Sequence, residues 1–276
     1  MASEDLHCDY NHQQTISLKL SALARRMLAE DINPPQGERF SRRHYVFFGI
    51  LNRAFCTHDA TRLLATKGFV DDGFSLMRTS MEAAINAAFI NWVGGDDAAA
   101  DYSDFHYYRD WKEYEAAQKL TNKVGSDISA DRLATMRGDC ERVKDRYERN
   151  GRAATDWTSL NLADRALAVD KKIEQETGTE HYAIRFLYER LWRNASHYTH
   201  GNAKVIAQAF EQDADGTVRI NRQATKEEAA FLLDTSNYVM FRLLALLDIE
   251  LGMKNGEQWK QLENDWLGKC AENPPG

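Results

Sequence analysis

Apolar residues recur every three or four positions along most of the chain, the spacing of helices that each bury one stripe. Ile16, Leu20, Leu23, Met27 and Leu28 predict a first helix over 11–30, stopped by Asn33-Pro34-Pro35. Tyr45, Phe48, Leu51, Phe55 and Leu63 predict a second over 41–66, with Gly68 suited to its carboxyl-terminal cap. A third, over 72–93, carries Met77, Met81, Ala84, Ile85, Ala88 and Trp92, with Arg78 and Glu82 one turn apart along the border of that stripe. Gly94-Gly95 separates it from a fourth, 97–120, crowded with Tyr102, Phe105, Tyr107, Tyr108, Trp111 and Tyr114. Such an aromatic cluster serves a core, a helix–helix interface or base stacking.

Ser129 is placed to cap a fifth, highly charged helix that Asn150-Gly151 ends, read as a solvated outer layer. A shorter helix over 162–176 leads into another over 182–200, for which Thr179 is the expected cap. After Gly201 the period changes. VIAQAF and TVRI flank Asp215-Gly216, the signature of a two-stranded excursion within 204–222. The capping box Thr225-Lys226-Glu227-Glu228 then opens a long helix to about Leu251, with Phe231, Leu232, Val239, Leu243, Leu246 and Leu247 expected inside. A last helix over 257–270 carries Trp259, Leu262 and Trp266.

All four prolines fall at Pro34, Pro35, Pro274 and Pro275, so the strongest helix breaker is missing from everything between. The expected fold is therefore all-α: an antiparallel bundle of eight or nine helices with one small β-hairpin before the long penultimate helix. Without a repeat or a composition shift, residues 1–276 read as one domain. Its parts are an N-terminal helix within 1–39, a bundle core over 40–253, the hairpin over 204–222, and a C-terminal helix and tail over 256–276.

Composition narrows the class. With 43% hydrophobic and 28% charged residues the chain has the make-up of a globular protein. No uninterrupted apolar run reaches the roughly 20 residues of a membrane span, and MASEDLHCDYNH lacks the basic-then-apolar order of a leader. The expectation is a cytoplasmic protein with no membrane partner. Cys8, Cys56, Cys140 and Cys270 show no paired spacing and read as reduced, structural thiols. A formal charge of -7 argues against wholesale wrapping of nucleic acid but leaves room for a local basic site. His44 and His58, isolated on the second helix, read as incidental.

One stretch combines residues with a mechanism. In YAIRFLYERLWRNASHYTHGN, residues 182–202, helical rotation stacks Ile184, Leu187, Leu191, Ala195 and Tyr198 into an apolar seam. Glu189, Arg193, Ser196, His197 and His200 gather opposite. Arg193 then lies one turn from His197 and two from His200, so a cation and two imidazoles can address one anionic group.

Arg193-Asn194 followed by His200 resembles the Arg-x4-6-His signature of the HEPN superfamily (higher eukaryotes and prokaryotes nucleotide-binding), helical bundles that are often ribonucleases. More broadly, the order RTSMEAAINAAF, DWTSLNLADRA, LYERLWRNASHYTHG is similar to a large bacterial family of uncharacterised helical proteins sharing Arg-x3-Glu and Ser-x3-His segments. The HEPN resemblance implies an endoribonuclease, as in toxins or phage-defence effectors, needing neither metal nor cofactor and built from two motif copies across a homodimer. It implies that Arg193 holds the scissile phosphate, that His200 acts as acid/base or its orienter, and that Asn194 hydrogen-bonds nearby. His197 is a second imidazole beside them, and Arg78, Glu82 and Ser196 are supporting residues. The competing expectation is a non-catalytic binding or assembly module in a defence or regulatory complex, with a protein partner on the same face.

Overall fold

Helices in this chain begin where a side chain can accept the backbone N–H groups that a first turn leaves bare. Asp9 accepts from the amide of Asn11, Ser129 from Arg132 and Asn161 from Asp164. Thr225 and Glu228 bond each other's amides at 3.1 and 2.9 Å, the reciprocal pair expected there. The computed structural model describes residues 9–32, 39–120, 128–149, 152–199, 210–212, 215, 217–220, 224–252 and 254–271.

The protein is all-helical in class. Helix α1 spans Tyr10–Arg26 and continues as a π-helical turn, Met27–Asp31. α2 spans Arg42–Thr66, and α3 spans Val70–Phe89 before a second π-helical turn, Ile90–Gly94. α4 spans Gly95–Leu120 and α5 Ala130–Tyr147. α6 spans Leu162–Thr177, α7 Ala183–Phe186 and α8 Arg193–Thr199, the last two joined through a π-helical turn at Leu187–Trp192. α9 is Lys226–Glu250 and α10 Gly256–Ala271. Positive φ at Gly68 (79°) and Gly95 (58°) turns the chain between α2 and α3 and between α3 and α4, a conformation that a side chain would strain.

α3 is the hub. It packs most extensively on α2 and also meets α6, α8, α9 and the turn at Leu187–Trp192. α1 lies against α9, α2 and α10. One apolar core runs from Ile16 to Trp266, drawing on α1, α2, α3, α9 and α10 together. α9 has the length and apolar content of a membrane span, yet most of that stretch is buried between other helices. Leu232, Leu243, Leu244 and Leu247 are fully enclosed, each stabilising the fold by about 1.5–3 kcal/mol.

Several sequence expectations need correction. Tyr45, Leu63 and Phe231 are exposed, because the buried stripe of α2 runs through Phe47, Ile50, Leu51, Ala54, Phe55, His58, Thr61 and Ala65, and that of α9 passes through Leu232 and Leu233. α5 is not merely a solvated layer: Cys140, Val143 and Tyr147 form a second core with Tyr108, packed by Phe105, Tyr107 and Trp111. The aromatics of α4 are thus largely spent within the chain. The excursion over 204–222 is described at Phe210–Gln212 and Val218–Ile220, which pair antiparallel; 204–209 lie outside the described residues. An unexpected short pair joins Glu148–Arg149 to Arg152–Ala153, on either side of Asn150-Gly151. Asn-Gly is as good a hairpin signal as a helix stop.

Candidate functional site

The motif helix is anchored from α6, not by Thr179. Asp170, fully buried, accepts the amides of Ile184 and Arg185 at 3.2 and 2.8 Å, and also Nδ1 of His181 at 2.6 Å and Nε of Arg185 at 3.3 Å. A carboxylate from a neighbouring helix therefore does the work of an N-cap and fixes where the segment starts. Ile184, Leu187 and Ala195 are buried, and the ring of Tyr198 stacks on Phe74 at 4.6 Å.

The same segment turns Arg193, Asn194 and His197 to the surface. Ser196 is half-buried and donates to the carbonyl of Trp192 at 2.9 Å, back-bonding along its own helix. His200, with Gly201 and Asn202, lies outside the described residues. Arg193 and His197 therefore share an open face of α8.

Arg78 and Glu82 meet this segment through one side chain. Trp192 donates its indole N–H to Oε1 of Glu82 at 2.8 Å, the same oxygen that accepts from Nε of Arg78 at 3.2 Å. The Arg78 guanidinium lies 4.5 Å from the Trp192 ring centre. Trp192 closes the π-helical turn, whose wider winding shifts the phase of the residues that follow.

One turn beyond Glu82 on α3, Asn86 accepts from Arg165 of α6 at 2.7 Å, and Arg165 also pairs with Asp156 at 2.5 Å. Arg165 is buried and its guanidinium stands 5.2 Å from the ring of Trp157. Burial pulls its pKa below the usual guanidinium value despite Asp156. Sequence reasoning missed Asn86, Asp156 and Arg165 as a set; the signal was the segment DWTSLNLADRA, which carries a Trp and an Arg eight residues apart.

Between α2, α3, α4 and residues 155–157 opens a cleft of about 510 Å³, to which Glu82 and Asn86 belong, with Arg53, Tyr102, His106 and Trp157. Burial raises the pKa of the Tyr102 phenol, so it remains a neutral hydrogen-bonding group. A second cleft of about 420 Å³ lies on the other side of the 155–157 strap, beside Arg146 and Tyr147. Neither includes Arg193, Asn194 or His197.

Other polar groups are internally committed. His44 connects Ser41 at 3.0 Å to Glu250 at 2.9 Å at the start of α2, and His58 is buried against Ser236 at 2.8 Å. Loss of solvent lowers the His58 pKa to about 4, so it is neutral at pH 7. Asp104 takes Arg42 and Arg146; burial alone would raise its pKa, but these two guanidinium groups hold it below the usual value. Among the described residues no three His, Cys, Asp or Glu side chains gather as a metal site. Cys56 and Cys140 are free thiols, the first exposed and the second buried.

This arrangement defines an all-helical protein whose central helix carries a polar edge bonded to two neighbouring helices. Residues 44–217, more than half of the chain, match the model of a family of unknown function, DUF5677, and the chain belongs to that family. The matched span holds α3, α6 and the motif segment entire, but not α1, α9 or α10. No curated protein and no solved structure matches the chain.

Proposed function

We propose that the chain is a HEPN-like, metal-independent endoribonuclease that works in the cytoplasm, as a toxin or phage-defence effector, on the face bearing Arg193, Asn194, His197 and His200. The observation that carries this reading is the junction of Trp192 with Glu82 and Arg78, which braces the residue before Arg193 against the central helix while Arg193, Asn194 and His197 stay exposed. A braced backbone with an open polar face suits a long substrate that docks from outside.

In this reading Arg193 binds the scissile phosphate of RNA and Asn194 hydrogen-bonds beside it. An imidazole, His200 or His197, removes the proton of the ribose 2′-hydroxyl. The 2′-oxygen bonds to phosphorus, the P–O5′ bond breaks, and the 5′-oxygen leaves with a proton given by the other imidazole, which enters protonated, giving a 2′,3′-cyclic phosphate and a 5′-hydroxyl. A homodimer supplies two motif copies to one site, within a single domain built as an antiparallel bundle with a hairpin at 204–222. Purified wild-type, Arg193→Ala and His200→Ala protein incubated with total RNA in EDTA tests it. Cleavage by wild type alone is expected; cleavage by all three, or by none, overturns it.

A second reading is favoured by a specific observation: the Arg193 face lines neither of the clefts beside α4, which is how a protein-docking face of a non-catalytic assembly module presents itself. Retention of a protein partner by wild type and its loss in Arg193→Ala, with no RNA cleavage by either, would select that reading.

A further inference from the structure

The cleft between α2, α3 and α4 is lined by two arginines, Arg53 and Arg109, and two acids, Glu82 and Asp156, but they are not paired with one another. Its two acids are already engaged inside the protein: Glu82 by Arg78 and Trp192, and Asp156 by Arg165 and by the amide of Trp157 at 2.8 Å. Arg109 is shared with Glu113 at 3.3 Å on its own exposed helix face. Arg53, exposed at the cleft wall, forms no ion pair among the described residues. Trp157, part of the cleft lining, packs on Arg165, which is not. Nε of Arg165 and Nε1 of Trp157 are buried without a hydrogen-bond acceptor among the described residues, although both side chains are more than nine-tenths enclosed.

Unmet buried donors are costly, and natural proteins keep few of them. Trp157, which carries one of them, lines a space of ligand size. His106 is at the rim, its Nδ1 donating to the carbonyl of Ser103 at 2.5 Å, which leaves Nε2 a hydrogen-bond acceptor and not a partner for an anion. Tyr102, Phe105 and Trp157 supply aromatic surface beside these polar atoms, with Tyr102 edge-on to Trp157 at 5.2 Å.

We infer that this cleft binds a small molecule carrying one oxyanion, a carboxylate or a phosphate, on an apolar or aromatic body. Arg53 takes the oxyanion, with Arg109 at the rim. The body lies against Tyr102 and Trp157, over Asn86 and Asp156. The internal engagement of Glu82 and Asp156 keeps the acids from competing for Arg53 and disfavours cationic ligands. The inference does not depend on the Arg193 face being catalytic.

Calorimetric titration with phenyl phosphate, benzoate, inorganic phosphate and benzylamine tests it, with the indole N–H resonance of Trp157 followed by NMR. Saturable binding of phenyl phosphate or benzoate is expected, with a shift of that resonance; the tighter of the two identifies phosphate or carboxylate as the source. Arg53→Ala, an exposed change, should weaken binding by at least roughly tenfold, whereas Arg53→Lys should recover part of it. Arg190→Ala, on the exposed side of the motif segment, should bind as wild type. Absence of saturation by every anion at about 10 mM, equal affinity of Arg53→Ala and wild type, or equal binding of benzylamine would each overturn the inference.

Discussion

The polar edge of α3 and the polar face of α8 each combine an arginine with an asparagine, yet they are built differently. Arg78, Glu82 and Asn86 sit beside a stripe of buried methionine, alanine and isoleucine, and both Glu82 and Asn86 bond a side chain on another helix. Arg193, Asn194 and His197 are exposed on a helix whose opposite side is packed. The edge is closed and holds helices in place; the face is open. Chemistry on the open face can therefore depend on the closed edge for its orientation without drawing its stability from its own residues.

The largest effect should come from the closed side. Asp170→Ala removes the acceptor of two backbone amides at the start of α7 and leaves His181 and Arg185 without their buried partner. Breaking a buried, multiply bonded charge costs about 3–5 kcal/mol. A denaturant melt showing less than about 1 kcal/mol would mean that the motif segment is held by packing alone, and the contrast between closed and open regions would lose its main support.

Acid should act next, through His58 on α2. Buried beside Ser236, it has a pKa of about 4, whereas the unfolded chain takes up a proton near 6.5. The unfolded state thus binds more protons between those values, so stability falls as pH drops from about 6.5 to about 4 and this contribution then levels off. The loss is on the order of 3 kcal/mol when complete. Asp234, whose pKa burial raises, works in the opposite direction, so the comparison needs a His58→Gln control. Urea midpoints at pH 7 and pH 4.5 should differ less in that variant than in wild type. Equal differences would show that the histidine is not the titrating group.

Smaller still is the Glu82–Trp192 contact itself. The Glu82 side chain keeps 39% of its exposure, so solvent screens the pair and the full price of a buried charge does not apply. Glu82→Gln and Trp192→Phe should each cost about 1 kcal/mol, with a coupling of about 0.5–1 kcal/mol in the double-mutant cycle. A coupling near zero would separate the motif segment from α3 energetically despite the 2.8 Å bond.

What could be read from residues alone follows from range. Helix class, the Thr225 capping box and the turn at Gly68 are set by neighbours within four or five positions, and local spacing carries them. The motif helix starts within a residue of its expected place, but Thr179 is not its cap: the acceptor, Asp170, arrives from another helix, and no local pattern encodes that. Tyr45 and Leu63 fit the apolar period yet are exposed, because periodicity gives the width of an apolar face but not which edge a neighbour covers. Arg78 and Glu82 stood out by bordering a strong stripe, but their partner, Trp192, lies 110 residues from Glu82. The buried Arg165 was hidden for the same reason: nothing near it announces that Asn86 will accept from it.

The smallest expected stability change is at Arg193, and it is the most telling. The residue is exposed and follows a π-helical turn that is fixed by other groups, so replacing it by alanine removes little packing. Surface substitutions of this kind usually stay within about 0.5 kcal/mol, and alanine is the better helix former. If the open face acts on RNA, Arg193→Ala should therefore melt with wild type while losing cleavage, by a factor on the order of 10² for a lost phosphate contact in the transition state. Equal melting with full cleavage would detach function from this face. A melt lower by more than about 1 kcal/mol would place Arg193 with the closed groups of α3, and the difference between the two regions would then be one of degree.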